Sequence, residues 1–281
     1  MANIIVKNPN KDGYGTQKEN IFIAQNQHGE TLGVLLVYSY FDQDIEPEHP
    51  HNLQFYFHAI EGKELNEAIK DKLLENAFER AEKIKHEEKQ NKTRVYACYL
   101  KDQQEKIDYF LQRGFAHDEG MLIIERHSSA PLPEVSVPAE IAMRSWKLDT
   151  DTDQHQFITT HRQIFPRHAY SSEKLSELKA SPGWENFTAF HNAEIAGNIM
   201  VFISPENSKI GIIEDLFVLP EWRRRGIARY LLHTALAYFQ KQGIERVQLE
   251  LWSANKNAWR LYQKFGFTEV DETEIALGRY I

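Results

Sequence analysis

Residues 217–251 constrain the fold more than any other stretch, because the hydrophobic period changes within them. Ala228, Leu231, Leu232, Ala235, Leu236 and Phe239 recur at spacings of three and four, which predicts a helix with one buried face. Gly243 stops that helix, and Val247, Leu249 and Leu251 then alternate with Gln248 and Glu250 as a half-buried strand does. Ahead of the helix, Phe217-Val218-Leu219-Pro220-Glu221-Trp222-Arg223-Arg224-Arg225-Gly226-Ile227-Ala228-Arg229 joins a strand end to the helix start. Helix N-termini expose unpaired N–H groups and partial positive charge, and successive turn amides make a concave anion site. Gly226 leaves the approach free of a side chain, so the turn reads as a pyrophosphate cradle.

The rest of the composition narrows the ligand. A net charge of −8 argues against a general nucleic-acid or anionic-membrane binder, so Arg223-Arg224-Arg225 points to a small anion. The bland alternative for the three arginines is a solvated basic helix start.

Arg223-x-x-Gly226-x-Ala228 matches the pattern Gln or Arg, two residues, Gly, one residue, Gly or Ala. In this the chain resembles the GCN5-related N-acetyltransferases (GNAT). The likeness extends upstream through Ile213-Glu214-Asp215-Leu216-Phe217-Val218 and Pro220, and downstream through Asn255-x-x-Ala258-x-x-x-Tyr262 and Gly266-Phe267. The resemblance implies acetyl-CoA as co-substrate and no metal. It places the pyrophosphate on the amides of Arg224, Arg225, Gly226, Ile227, Ala228 and Arg229. It sets the pantetheine arm beside the backbone of Phe217 and Val218, between two splayed strands. It further implies that Asn255, in the motif it shares with Ala258, contacts the cofactor arm and that Tyr262 is the general acid at the thioester sulfur.

Transfer of an acetyl group to an amine needs a base for the nitrogen's proton and a stabiliser for the leaving thiolate. Glu214, four residues before Val218 and on the same face by strand alternation, is the candidate base. Tyr262 can donate its phenolic proton to sulfur, and no cysteine is placed to form an acyl-enzyme, so direct transfer is expected. Other readings stay open: Asn255 is a good N-cap by itself, Tyr262 shares a stripe with Leu261 and Phe265, and Glu214 or Asp215 can pair with an arginine of the turn.

A chain of 281 residues with 42% hydrophobic and 12% aromatic content can fill two cores. Three prolines among residues 128–138 mark a break in periodicity. The expected organisation is an N-terminal domain over 1–128, a linker over 129–138 and a catalytic domain over 139–281. After the break, a strand at Ile141-Ala142-Met143-Arg144, a helix from Thr152 to Ile164 and a hairpin around Asn192-Ala193-Glu194 lead into the cradle.

The first half repeats this plan: a hairpin from Ile21 to Tyr40, a strand from Leu53 to Ile60, a helix from Leu65 to Lys85, a strand from Arg94 to Leu100 and a helix from Glu105 to Arg113. Tyr109-Phe110-Leu111-Gln112-Arg113-Gly114-Phe115 parallels Leu261-Tyr262-Gln263-Lys264-Phe265-Gly266-Phe267, setting Phe110 opposite Tyr262. Phenylalanine has no proton for a thiolate, and the matching turn, Ile60-Glu61-Gly62-Lys63-Glu64, turns two acids toward any phosphate. The first half therefore resembles a degenerate GNAT-like domain. The fold class implied is mixed α/β, with two acyl-CoA N-acyltransferase-like domains, each a mostly antiparallel twisted sheet flanked by helices.

Cys98 is the only cysteine, which excludes an internal disulfide and fits a reducing, cytoplasmic setting. Met1-Ala2-Asn3-Ile4-Ile5-Val6-Lys7 lacks the apolar core of a signal peptide, and no stretch approaches membrane-spanning length. His49, His51 and His58 sit near a polar loop and are assigned no metal, and the charged run from Glu82 to Lys92 reads as a solvated helix end. The expectation is an acetyl-CoA-dependent N-acetyltransferase acting on a small-molecule or peptide amine. The alternative is a non-catalytic acyl-CoA-binding regulator. The acceptor is expected to meet residues 157–170, loops of the first half and the strand of Glu214, and oligomeric state has no signature here.

Overall fold

The computed structural model describes residues 4–40, 50–58, 60, 65–89, 92–136, 138–166 and 168–281. The expected acidic turn at 61–64, His49, the 90–91 end of the charged run, Val137 of the linker and position 167 of the acceptor segment lie outside the described residues.

The elements run β1 (Ile5–Lys7), β2 (Ile21–Gln25), β3 (Thr31–Tyr40), β4 (His51–His58), α1 (Glu67–Glu87), β5 (Thr93–Leu100), α2 (Gln104–Leu111) and β6 (Ala116–His127). They continue with β7 (Ile141–Ser145), α3 (Asp151–Ile164), α4 (Ser172–Lys179), β8 (Glu185–His191), β9 (Glu194–Ile203), β10 (Ile210–Val218), α5 (Ile227–Lys241), β11 (Arg246–Trp252), α6 (Lys256–Lys264) and β12 (Thr268–Tyr280). The class is mixed α/β with mostly antiparallel pairing, as the sequence implied.

The chain forms two compact units: Met1–Met121 with Trp252–Asn257 and Glu272–Ile281, and Leu122–Leu251 with Ala258–Asp271. This division differs from the expected 1–128 and 139–281, and the reason is strand pairing. In the first unit the strand order is β1-β2-β3-β4-β5-β12, so the last strand of the chain, through Glu274–Tyr280, pairs with β5. In the second unit the order is β6-β11-β10-β9-β8-β7, so residues 122–127, from the first half of the sequence, flank β11. The segment expected as a linker is packed: Leu132 and Val135 join the second unit's core, and Arg126 and Gln240 side chains donate to the Ala130 carbonyl at 2.7 and 3.2 Å.

Both units contain one parallel pair joined by a crossover helix. β4 and β5 pair from His51↔Thr93 to Gln54↔Tyr96 with α1 between them in sequence. β10 and β11 pair only at Ile210↔Arg246, Gly211↔Val247 and Ile212↔Gln248, with α5 between them. Helix α5 buries the predicted stripe, Leu231, Leu232, Ala235, Leu236 and Phe239, all 1% exposed or less. Gly211 on β10 admits the Phe239 ring, which a Cβ there would meet at 2.4 Å.

The predicted likeness of the two helix ends is present in the backbone. Gly114 and Gly266 both sit at φ +80°, where a side chain is disfavoured. The Phe115 amide donates to the Phe110 carbonyl at 3.3 Å, and the Phe267 amide donates to the Tyr262 carbonyl at 3.1 Å. Phe110 is fully buried against Phe57, Tyr99, Tyr109 and Phe115, so its position in the first unit is filled by an apolar ring.

Candidate active site

The cradle forms as its sequence suggests. Leu219 leaves β10 with its amide donated to the Ala196 carbonyl at 3.0 Å, and a single 3₁₀ turn over Pro220–Trp222 reverses the chain. Arg224 and Gly226 then take left-handed conformations, φ +62° and +86°. Alternating backbone of this kind turns successive amides toward one side, which is the geometry of an anion nest. Gly226 is the N-cap of α5 and has no side chain with which to bond the first amides of the helix.

The arginines divide their tasks. Arg223 Nε donates to the Val218 carbonyl at 3.1 Å, tying the turn to the strand. Arg225 lies over the Trp222 ring at 4.7 Å, and Arg229 reaches the Glu134 carbonyl at 3.3 Å. Ile227 is buried in the core while Ala228 is half-buried at the helix start. The chain itself packs closely here: a Cβ at Gly226 would stand 2.8 Å from the Ser136 carbonyl oxygen, so the close approach of that backbone requires a glycine.

Glu214 departs from the expected geometry. Between Ile213↔Val201 and Asp215↔Met200 the pairing of β10 with β9 shifts by one residue, and Glu214 is the extra residue of a β-bulge. Period-two alternation therefore breaks there. Val218 packs on the α5 side, in one core with Leu231, whereas Glu214 meets Tyr170 and Lys174 on the α4 side. The expectation that Glu214 and Val218 share a face is corrected accordingly. The bulge also turns Glu214 and Asp215, adjacent in sequence, toward the same side of the sheet.

Burial, and then the neighbouring Asp215 carboxylate, push the Glu214 carboxyl above the usual carboxylate range; Lys174 opposes this. A carboxylate held this way takes up a proton more readily than an exposed one. Tyr262 is 6% exposed, edge-on to Phe267 at 5.6 Å between ring centroids. Burial, followed by Asp215, raises its phenol, so the proton stays on oxygen near neutrality. Tyr262 is thus a core aromatic, one of the two readings open to it, and its buried phenol keeps its proton. Ala258 packs beside it on α6, while Asn255 falls in the segment grouped with the first unit, one residue before α6 begins. The Phe217 side chain does not point at the cradle. It joins Phe157, His161 and Phe165 at centroid distances of 6.4, 6.2 and 6.3 Å.

Two residues of the 157–170 segment expected near the acceptor, with no individual role foreseen, stand beside Glu214. His161 of α3 contacts Asp215 Oδ2 through Nε2 at 2.9 Å, and the Tyr170 hydroxyl donates to the same oxygen. The rings of His161 and Tyr170 stack at 4.1 Å, and His161 Nδ1 is buried without a partner among the described residues. Burial, the Asp215 and Glu214 charges and their hydrogen bonds all raise the Tyr170 phenol. His161 and Tyr170 lie 54 and 45 residues from Asp215, so no local spacing reveals them.

The acetyltransferase (GNAT) family model matches residues 147–267. The mycothiol acetyltransferase of Thermobispora bispora is 26% identical over 167 residues, 55% of this chain and 56% of that protein. N-alpha-acetyltransferase MAK3 of Arabidopsis thaliana is 35% identical over 82 residues, 29% of this chain and 43% of that protein. The chain thus spans about half the length of the curated relatives it matches. A crystal structure of a GCN5-related N-acetyltransferase from Sphaerobacter thermophilus covers 95% of this chain and 82% of its own length, with a TM-score of 0.51 at 18% identity, a likeness of fold.

Proposed function

We propose that this chain, which matches the acetyltransferase (GNAT) family model over residues 147–267, transfers an acetyl group from acetyl-CoA directly to a primary amine in its second unit. One observation carries the reading: β10 and β11 part after Ile212↔Gln248, and the chain leaving β10 runs into the uncapped start of α5. An opening between parallel strands, followed by an anion nest, suits a long chain ending in a pyrophosphate.

Acetyl-CoA supplies the activated carbonyl. The amides of Arg224 to Arg229 hold the pyrophosphate, and the backbone of Phe217 and Val218, freed by the splay, pairs with the arm. Asn255 is assigned to the arm by family likeness. Glu214 takes the proton that the attacking nitrogen loses, directly or through water, and its raised proton affinity suits that task near neutral pH. Tyr262 donates its proton to the sulfur as the carbon–sulfur bond breaks, and solvent reprotonates the phenolate. Counted from the ammonium form of the acceptor, the nitrogen gains the acetyl group, coenzyme A leaves as the thiol, and one proton is released to solvent. The N-terminal unit, with Phe110 where the second unit has Tyr262, serves a non-catalytic role.

Calorimetric titration of acetyl-CoA into the purified protein tests this reading without a guess about the acceptor. One site per chain is expected. Two sites would show a functional cradle in the N-terminal unit, binding without turnover on an amine panel would favour the regulator, and no binding by folded protein would sink the proposal.

A further inference from the structure

A cavity of about 550 Å³ lies over β10 and β11 where their pairing ends, and Glu214 is part of its lining. Leu178 and Phe202 give it an apolar wall, while Glu177, Glu206 and Glu250 join Glu214 against one cation among the described residues, Lys174. Whole-chain charge says nothing about a cleft, but this lining does. Glu214 is repelled by Asp215 and Glu250, and Lys174 together with a hydrogen bond from Tyr170 opposes this. Glu206 accepts from Ser204 at 2.8 Å, whereas the carboxylates of Glu177 and Glu250 make no hydrogen bond or ion pair among the described residues. Like charges gathered in a concave, partly desolvated space raise the local concentration of counter-ions and are relieved by a cationic ligand.

We propose, building on the acetyltransferase reading above, that this cavity takes an acceptor with two or more ammonium groups joined by an apolar spacer. One nitrogen gives its proton to Glu214 and is acetylated; another stays charged between Glu177 and Glu250. Acylation neutralises the first nitrogen, so a monoamine has no second charge for the remaining carboxylates. The spacer follows Leu178 and Phe202. Anionic amines are excluded by the same field.

The probes are spermidine, butylamine and glutamate, with coenzyme A release as the kinetic readout and calorimetry as the binding readout. For spermidine, kcat/KM is expected to exceed that for butylamine by about 10-fold or more, and the advantage shrinks as salt rises from about 0.05 to 0.5 M. Glutamate is not used. Glu177 and Glu250 are both exposed, so E177Q/E250Q folds, which circular dichroism checks, and its KM for spermidine rises about 10-fold, well beyond the change for butylamine, which shifts only as Glu214 loses the Glu250 charge. Equal use of spermidine and butylamine, or an unchanged KM in the folded double variant, would overturn the proposal while leaving the acetyltransferase reading intact. Failure to bind acetyl-CoA would remove that reading instead. Spermidine binding then decides the cavity alone: loss of binding in E177Q/E250Q supports it, and no binding to the parent protein overturns it.

Discussion

Replacing Gly226 with alanine separates two effects that usually travel together. The residue sits at φ +86°, a conformation that costs an L-residue about 1–2 kcal/mol, while alanine also stiffens the unfolded chain and returns about 0.4–1 kcal/mol. The backbone terms alone leave a loss of about 1 kcal/mol. The added Cβ would also lie 2.8 Å from the Ser136 carbonyl oxygen, a backbone atom that must move. Overpacking of this kind adds about 1–3 kcal/mol. Gly243 supplies the control, because it has φ +71° and no atom within 4 Å of its added Cβ. Denaturant unfolding of G226A and G243A, each compared with the parent, should show the first to be the more destabilised by about 1–3 kcal/mol. Acetyl-CoA titration should show weakened binding for G226A and unchanged binding for G243A. Equal destabilisation in both, with full acetyl-CoA affinity in G226A, would refute the close approach at the cradle.

Substitutions at three residues of the site test its chemistry. Glu214→Gln should lower transfer by about 10²-fold or more with acetyl-CoA affinity intact. Because the Glu214 carboxyl is raised above its unfolded value, its stabilising contribution is complete at acid pH and is lost as pH rises through the raised value; E214Q should therefore gain in melting temperature over the parent from about pH 4 to about pH 8. Tyr262→Phe should cut kcat by about 10²-fold without changing acetyl-CoA affinity or circular dichroism, and recovery of full turnover in that variant would remove the proton-donor role. Asp215→Ala strands the His161 and Tyr170 donors, so unfolding measurements should show a loss of about 2–3 kcal/mol. Asp215→Asn, which keeps the shape, should move the rising limb of the pH–rate profile toward acid pH, since the Asp215 charge helps to raise Glu214.

Much of the fold was legible because periodicity reports burial. The stripe on α5 and the alternation on β11 were read directly, and the paired motifs ending at Gly114 and Gly266 told of equivalent helix ends. Helix α4 was readable yet missed: Ser171 accepts from the Lys174 amide as an N-cap, and Leu175 and Leu178 share its buried face. The bulge at Glu214 was hidden, since an inserted residue has no periodic trace of its own and two adjacent carboxylates were its only sign. His161 and Tyr170 meet Asp215 through tertiary packing, and each reads alone as an ordinary polar residue on a helix or loop. The pairing partners of β6 and β12 are equally non-local, which is why boundaries drawn at the prolines missed them.

The places of β6 and β12 carry a consequence for heredity. Strand β11, next to the splay, takes its outer neighbour from residues encoded before the prolines, and β5 takes its own from the end of the chain. A deletion that discards the first half therefore also discards a strand of the half that carries Glu214 and Tyr262. On the proposed reading the first half, with Phe110 opposite Tyr262, carries no chemistry, yet its backbone is still required. A gene with this arrangement retains both halves or forfeits the fold of each.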